Sequence, residues 1–244
     1  MGKLRDMING VDKSKETEKE IAEQLKILSD LGEAKVTIFK GDIENSLKDG
    51  KTTDDLKVPI TKVLASYEEY RAYTKRSQED LTKDVAKSFS TMFNGGQEIV
   101  NGISSLITKG LSVILGAGDG EEMQRKEYYI LVEYPAIVRY DIAMWSRSIT
   151  AKSLQTRVNN VVACAAYKSA VDVTKLDFNT FLGCYASVLQ AAFGKDKANI
   201  KTMIQEAGEV YGMFQTGGQS RALSQHEEEE LEAYTQYVLE QGTE

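Results

Sequence analysis

The chain has 244 residues, 41% of them hydrophobic and 27% charged; that length and apolar content suffice to bury a real core and exclude global disorder. Two prolines are few for an all-β sandwich or barrel, which needs frequent turns and usually places proline in them, so the count favours long helices. A lone histidine, His226, excludes multi-His metal sites, and a net charge of -7 with no basic stripe excludes a nucleic-acid surface.

In chain order, Ile21, Leu25, Leu28 and Leu31 draw a narrow helical stripe in a highly charged segment. Val36, Ile38 and Phe39 form a short apolar cluster, and Gly41 and Asp49-Gly50 punctuate the stretch after it. Residues 52–93 read as one long amphipathic helix, with Thr53, Asp54 or Pro59 at its start and a stripe from Ile60 through Val63, Leu64, Tyr67, Tyr70, Leu81 and Val85 to Phe89. From Ile99 to Gly118 the only charge is Lys109. Residues Asp119 to Glu127 then carry six charges, and Tyr128 to Ser146 is apolar again. This pattern predicts a hairpin of two apolar arms, about 95–146, around a charged connector. Further helices are expected over 150–170, over Phe178–Phe193 with Asp177 as N-cap and Gly194 as stop, and over about 196–214. An acidic helix is expected over about 221–240. From Glu227 to Glu244 there are seven acids and no base, which leaves 30 acids against 30 bases in residues 1–226.

Three features carry possible chemistry. The first is the hairpin. Ile99, Ile103, Leu106, Ile107, Leu111, Val113, Ile114 and Leu115 supply an apolar arm of spanning length, and Tyr134 and Trp145 supply residues that favour a bilayer interface. Gly95, Gly96, Gly102, Gly110, Gly116 and Gly118 let helices approach closely or hinge, at about 0.5–1 kcal/mol each in a helix interior. The same features suit a buried central helix pair. The second is Gly116-x-Gly118-x-Gly120 after the apolar run Leu111–Leu115, with Glu133 following. The order resembles the first turn of a dinucleotide or methyltransferase site, although too few residues remain for a crossover helix. The third is the tyrosine-rich stretch Tyr67, Tyr70 and Tyr73, which fits an interface of any kind. Cys164 and Cys184 sit in apolar company and read as core residues, with a disulfide between them as the other reading.

The expected fold is all-α: one domain over 1–244, an elongated bundle of long antiparallel helices around a central apolar, Gly-rich hairpin. In layout this is similar to the helical pore-forming toxins. That resemblance implies a non-enzymatic protein whose hairpin is released into a lipid bilayer and which then oligomerises. The alternative is a soluble self-assembling or scaffold protein that binds copies of itself or partner helical proteins, and a nucleotide- or SAM-binding enzyme is a lesser one. No catalytic residue, cofactor or metal site is expected. The start of the chain lacks an apolar signal core and fits synthesis in a cytosol, with any release occurring without a cleaved signal.

Overall fold

A computed structural model of the chain describes residues 15–50, 57–74, 78–93, 97–115, 122–133, 136–150, 158–194 and 196–215. Helix α1 spans Lys15–Asp49. Its buried residues Leu25, Leu28, Val36, Phe39, Ile43 and Leu47 recur at helical spacings and form one stripe. The apolar cluster around Val36 is therefore part of the same helix, which runs straight through Gly41. Gly32 lies within the stripe at a close approach of helix and sheet: a Cβ there would sit 2.9 Å from Val161 Cγ2.

The expected all-α bundle is overturned by a four-stranded antiparallel sheet with strand order β1-β4-β3-β2. Residues 52–93 are not one helix. They hold strand β1, Ile60–Thr74, and a short helix α2, Gln78–Ser90. Helix α3, Gln97–Leu115, is the first arm of the expected hairpin. The second arm is two strands, β2 (Glu122–Glu133) and β3 (Ala136–Thr150). Strand β4, Val158–Val171, stands where a helix over 150–170 was expected. After a 3-10 turn over Val173–Lys175 come α4, Phe178–Phe193, and α5, Lys197–Gln215. Asp177 caps α4 as expected, accepting from the Thr180 amide, and Gly194 follows with φ +56°. The Gly-rich turn 116–120, Gly95, Gly96, Tyr134 and the acidic segment 221–240 lie outside the described residues.

The strands form because their side chains alternate between two cores. On β3, Val138, Tyr140, Ile142 and Met144 face one way, while Ala143 and Trp145 face the other. On β4, Val162, Cys164 and Ala166 alternate with Val161, Ala163, Ala165 and Tyr167. A strand buried on both faces has no polar side, so its sequence is a continuous apolar run that periodicity alone does not separate from a buried helix. That is why Tyr128 to Ser146 resembled a membrane arm. Among the described residues helix α1 alone covers the sheet face that carries Trp145, Ala163 and Tyr167. Helices α2 to α5 share the core of the opposite face.

The glycines of α3 serve packing of unequal tightness. A Cβ on Gly102 would lie 2.8 Å from the backbone N and Cα of Ala192 in α4, whereas one on Gly110 would meet the flexible end of Met144 at 3.0 Å. Gly102→Ala is therefore expected to cost about 1–3 kcal/mol by forcing two helices apart. Gly110→Ala is expected to lie within about 1 kcal/mol of neutral, because a yielding methionine offsets little of alanine's helix preference. Urea unfolding of both variants checks this, and equal effects would contradict the packing assignment.

Candidate functional site

Strand β1 is an edge strand: it pairs with β4 on one side, and among the described residues no strand pairs with the other. It is 15 residues long. An open edge is a row of unpaired amides and carbonyls that accepts another strand unless something blunts it. Two irregularities, between Ile60 and Lys62 and between Val63 and Ala65, blunt its first half. From Thr61 to Ser66 every residue is exposed, and Val63 (46%), Leu64 (44%) and Tyr70 (40%) are its uncovered large hydrophobics. From Ser66 to Thr74 the register is regular.

Side chains brace that regular half from both faces. Tyr67 packs edge-on against Phe89 of α2, with ring centroids 5.2 Å apart. Its hydroxyl donates to Glu69, which also accepts from Arg71, and Arg71 reaches Asp84 of α2 at 3.5 Å. Burial, together with the Glu69 bond, pushes the Tyr67 hydroxyl up to about 12. On the other face Lys40 of α1 pairs with Glu68 at 2.9 Å, and Tyr70 lies beside Gly32. A hydroxyl bonded to a carboxylate stays protonated, so Tyr67 adds no charge to this strand.

Two polar clusters lie deeper. Arg139 is fully buried. Its guanidinium donates to the carbonyls of Gly50 (3.2 Å) and Val58 (3.1 Å), to Ser46 Oγ (3.4 Å) and to Asp141 (2.5 Å). It ties the end of α1 to the entry of β1. Burial holds the Asp141 carboxyl above its ordinary range, with Arg139 pulling the other way. On the opposite face Glu133 accepts from Tyr140 and Lys168, and both of these donors also reach the Met92 carbonyl. That carbonyl lies just past the C-terminal end of α2, where helix carbonyls lack partners. Both clusters satisfy backbone oxygens. Among the described residues no group of His, Cys, Asp and Glu is placed to hold a metal ion.

The residues expected to enter a membrane divide between the two cores. Ile99, Ile103, Ile107, Leu111 and Ile114 are buried under α3, Leu106 and Leu115 are partly buried, and Val113 is exposed. Trp145 is on the other side of the sheet, 1% exposed, with its indole N–H donating to Glu122 at 2.7 Å. Ser146 Oγ donates to the Ile114 carbonyl at 2.5 Å and fastens the end of α3 to β3. Residues 111–115 are the last turn of α3 and not the strand that a dinucleotide loop needs before it. Cys164 and Cys184 are both free and buried, and burial raises the Cys164 thiol.

Sequence reasoning missed the edge strand. Its signal was present: Ile60, Thr61, Val63, Tyr67, Tyr70, Tyr73 and Thr74 are β-formers at a density unusual for an exposed helix. No protein-family model matches the chain, and no curated protein is similar to it.

Proposed function

We propose that the chain is a soluble, non-enzymatic interaction protein that works by association, with strand β1 as its contact surface. The observation that carries this is a long edge strand whose outer side is open among the described residues and which leaves Val63, Leu64 and Tyr70 uncovered. An edge of that length is a standing template for strand addition. Sedimentation velocity over a range of protein concentration tests the reading. The expected result is a species heavier than the 27.1 kDa chain that grows with concentration and weakens in Tyr70→Lys. A monomer at every concentration would overturn it.

One observation favours a second reading, action on a membrane through α3: Gln97–Leu115 is long and apolar enough to cross a bilayer by length and composition. Release of that helix would uncover Ile103, Ile107 and Leu111, and transfer of about 25 cal/mol per Å² of apolar surface into lipid would have to offset the core packing that the helix gives up. Co-sedimentation with anionic and neutral liposomes separates the readings. Lipid binding that Val113→Lys abolishes would favour the second; no binding to either liposome would remove it.

A further inference from the structure

We infer that the partner of β1 is a second copy of this chain, paired antiparallel through residues 66–74 about a two-fold axis at Tyr70. The inference rests on the association reading above and supplies its partner and register.

A two-fold axis normal to a sheet keeps each face on its own side. Directly opposite residues in an antiparallel ladder also share a face. The registers that satisfy both conditions are therefore those centred on a residue. In the unbulged half the charges sort these registers. Centring on Glu68 or on Glu69 sets that carboxylate opposite its own copy, and centring on Arg71 sets two guanidiniums face to face. Like charges directly opposite one another are destabilising. Centring on Tyr70 instead sets Glu69 of each copy opposite Arg71 of the other, twice by symmetry.

In that register Tyr70 meets Tyr70 on the face that α1 covers, and Glu68 meets the small Ala72. Tyr70 is exposed, and aromatic cross-strand pairs are stabilising. Glu69 and Arg71 lie on the same face, as their partners on β4 show: Cys164 and Val162 both face the core of α2 to α5. The existing contact between Glu69 and Arg71 along one strand holds both side chains at the height where the second copy's pair arrives. The bulged half, with Lys62 in it, stays outside the ladder.

The test uses charge complementation between two variants of the full chain. Glu69→Lys makes positions 69 and 71 both basic; Arg71→Glu makes them both acidic. Each alone is expected to be monomeric at concentrations where the natural chain is dimeric, and an equimolar mixture is expected to restore a dimer. A contact within one chain cannot be restored by mixing. In the otherwise natural chain, Tyr70→Cys is expected to form a disulfide between copies under mild oxidation, because opposite Cα atoms lie within about 4.5–5.5 Å. Glu68→Cys is expected to form none, because its copies stand four residues apart across the axis. If the charge variants do not fold, the cysteine pair decides alone. Dimers that persist in both charge variants, or that cross-link at 68 and not at 70, would overturn this register and leave the association reading standing. A natural chain that stays monomeric would overturn both.

Discussion

Arg139→Met is expected to destabilise the fold by about 3–5 kcal/mol, the range for breaking a buried pair by removing one partner. Four interactions disappear together. The Val58 carbonyl and Ser46 Oγ lose the guanidinium as donor, the Gly50 carbonyl keeps only the Val58 amide, and Asp141 is left in the interior without its counter-charge. The deficit should depend on pH in a defined direction. Burial raises the Asp141 carboxyl above its ordinary value of 3.8, and Arg139 opposes that rise. Without Arg139 the carboxyl climbs further. A carboxyl whose folded pKa exceeds its unfolded one binds more protons in the native state, so stability falls as pH rises from 3.8 through the folded value. The gap between Arg139→Met and the natural chain should therefore be smallest in acid and widen towards neutrality. Adding Asp141→Leu should recover part of the loss at neutral pH. Guanidinium unfolding at acid and neutral pH measures all three chains. A gap that is constant with pH would show that the carboxylate plays no part.

Trp145→Ala is expected to cost a similar amount, about 3–5 kcal/mol. The indole fills the core between α1 and the sheet, near Lys35, whose Nζ lies 5.4 Å from the ring centroid. Its N–H is also the leading cause that holds the Glu122 carboxyl below its ordinary range, ahead of Lys35. Trp145→Phe keeps most of the packing and loses that donor, so it should cost less than the alanine. Because Trp145 is the only tryptophan in the chain, its fluorescence in the natural protein reports the docking of α1 alone, and circular dichroism is needed for the variants. If Trp145 acted at a bilayer surface, the alanine would leave the soluble fold intact and change only lipid binding.

Legibility in the sequence followed the geometry of burial. Helices α4 and α5 were readable to within a residue or so, because Asp177 and Gly194 mark the ends of α4 and both helices keep polar residues such as Asn179, Lys201 and Glu209 on the outside. Helix α3 was readable as an apolar helix, and its buried residues fall at the expected spacing. Strands β3 and β4 were not, because a helix layer on each face removes the polar alternation that identifies a strand. Arg139 and Asp141, two charges within the apolar run of β3, point into the interior, where they answer each other and the backbone. Strand β1 failed for the opposite reason. It is exposed enough that Ile60, Val63, Leu64, Tyr67 and Tyr70 fit helical spacing by accident, and only their β-branched and aromatic character argued otherwise.

The strand order has a consequence for how the chain acquires its shape. Ile60 of β1 finds its partner at Val171 of β4, so among the described residues the earliest strand pairs only with the latest. Topologies dominated by such distant pairings fold slowly, because a long loop must close before any contact rewards it. Until β4 is made, β1 has no partner strand among the described residues, and transiently uncovered apolar surface of this kind is open to chaperones and to neighbouring nascent chains.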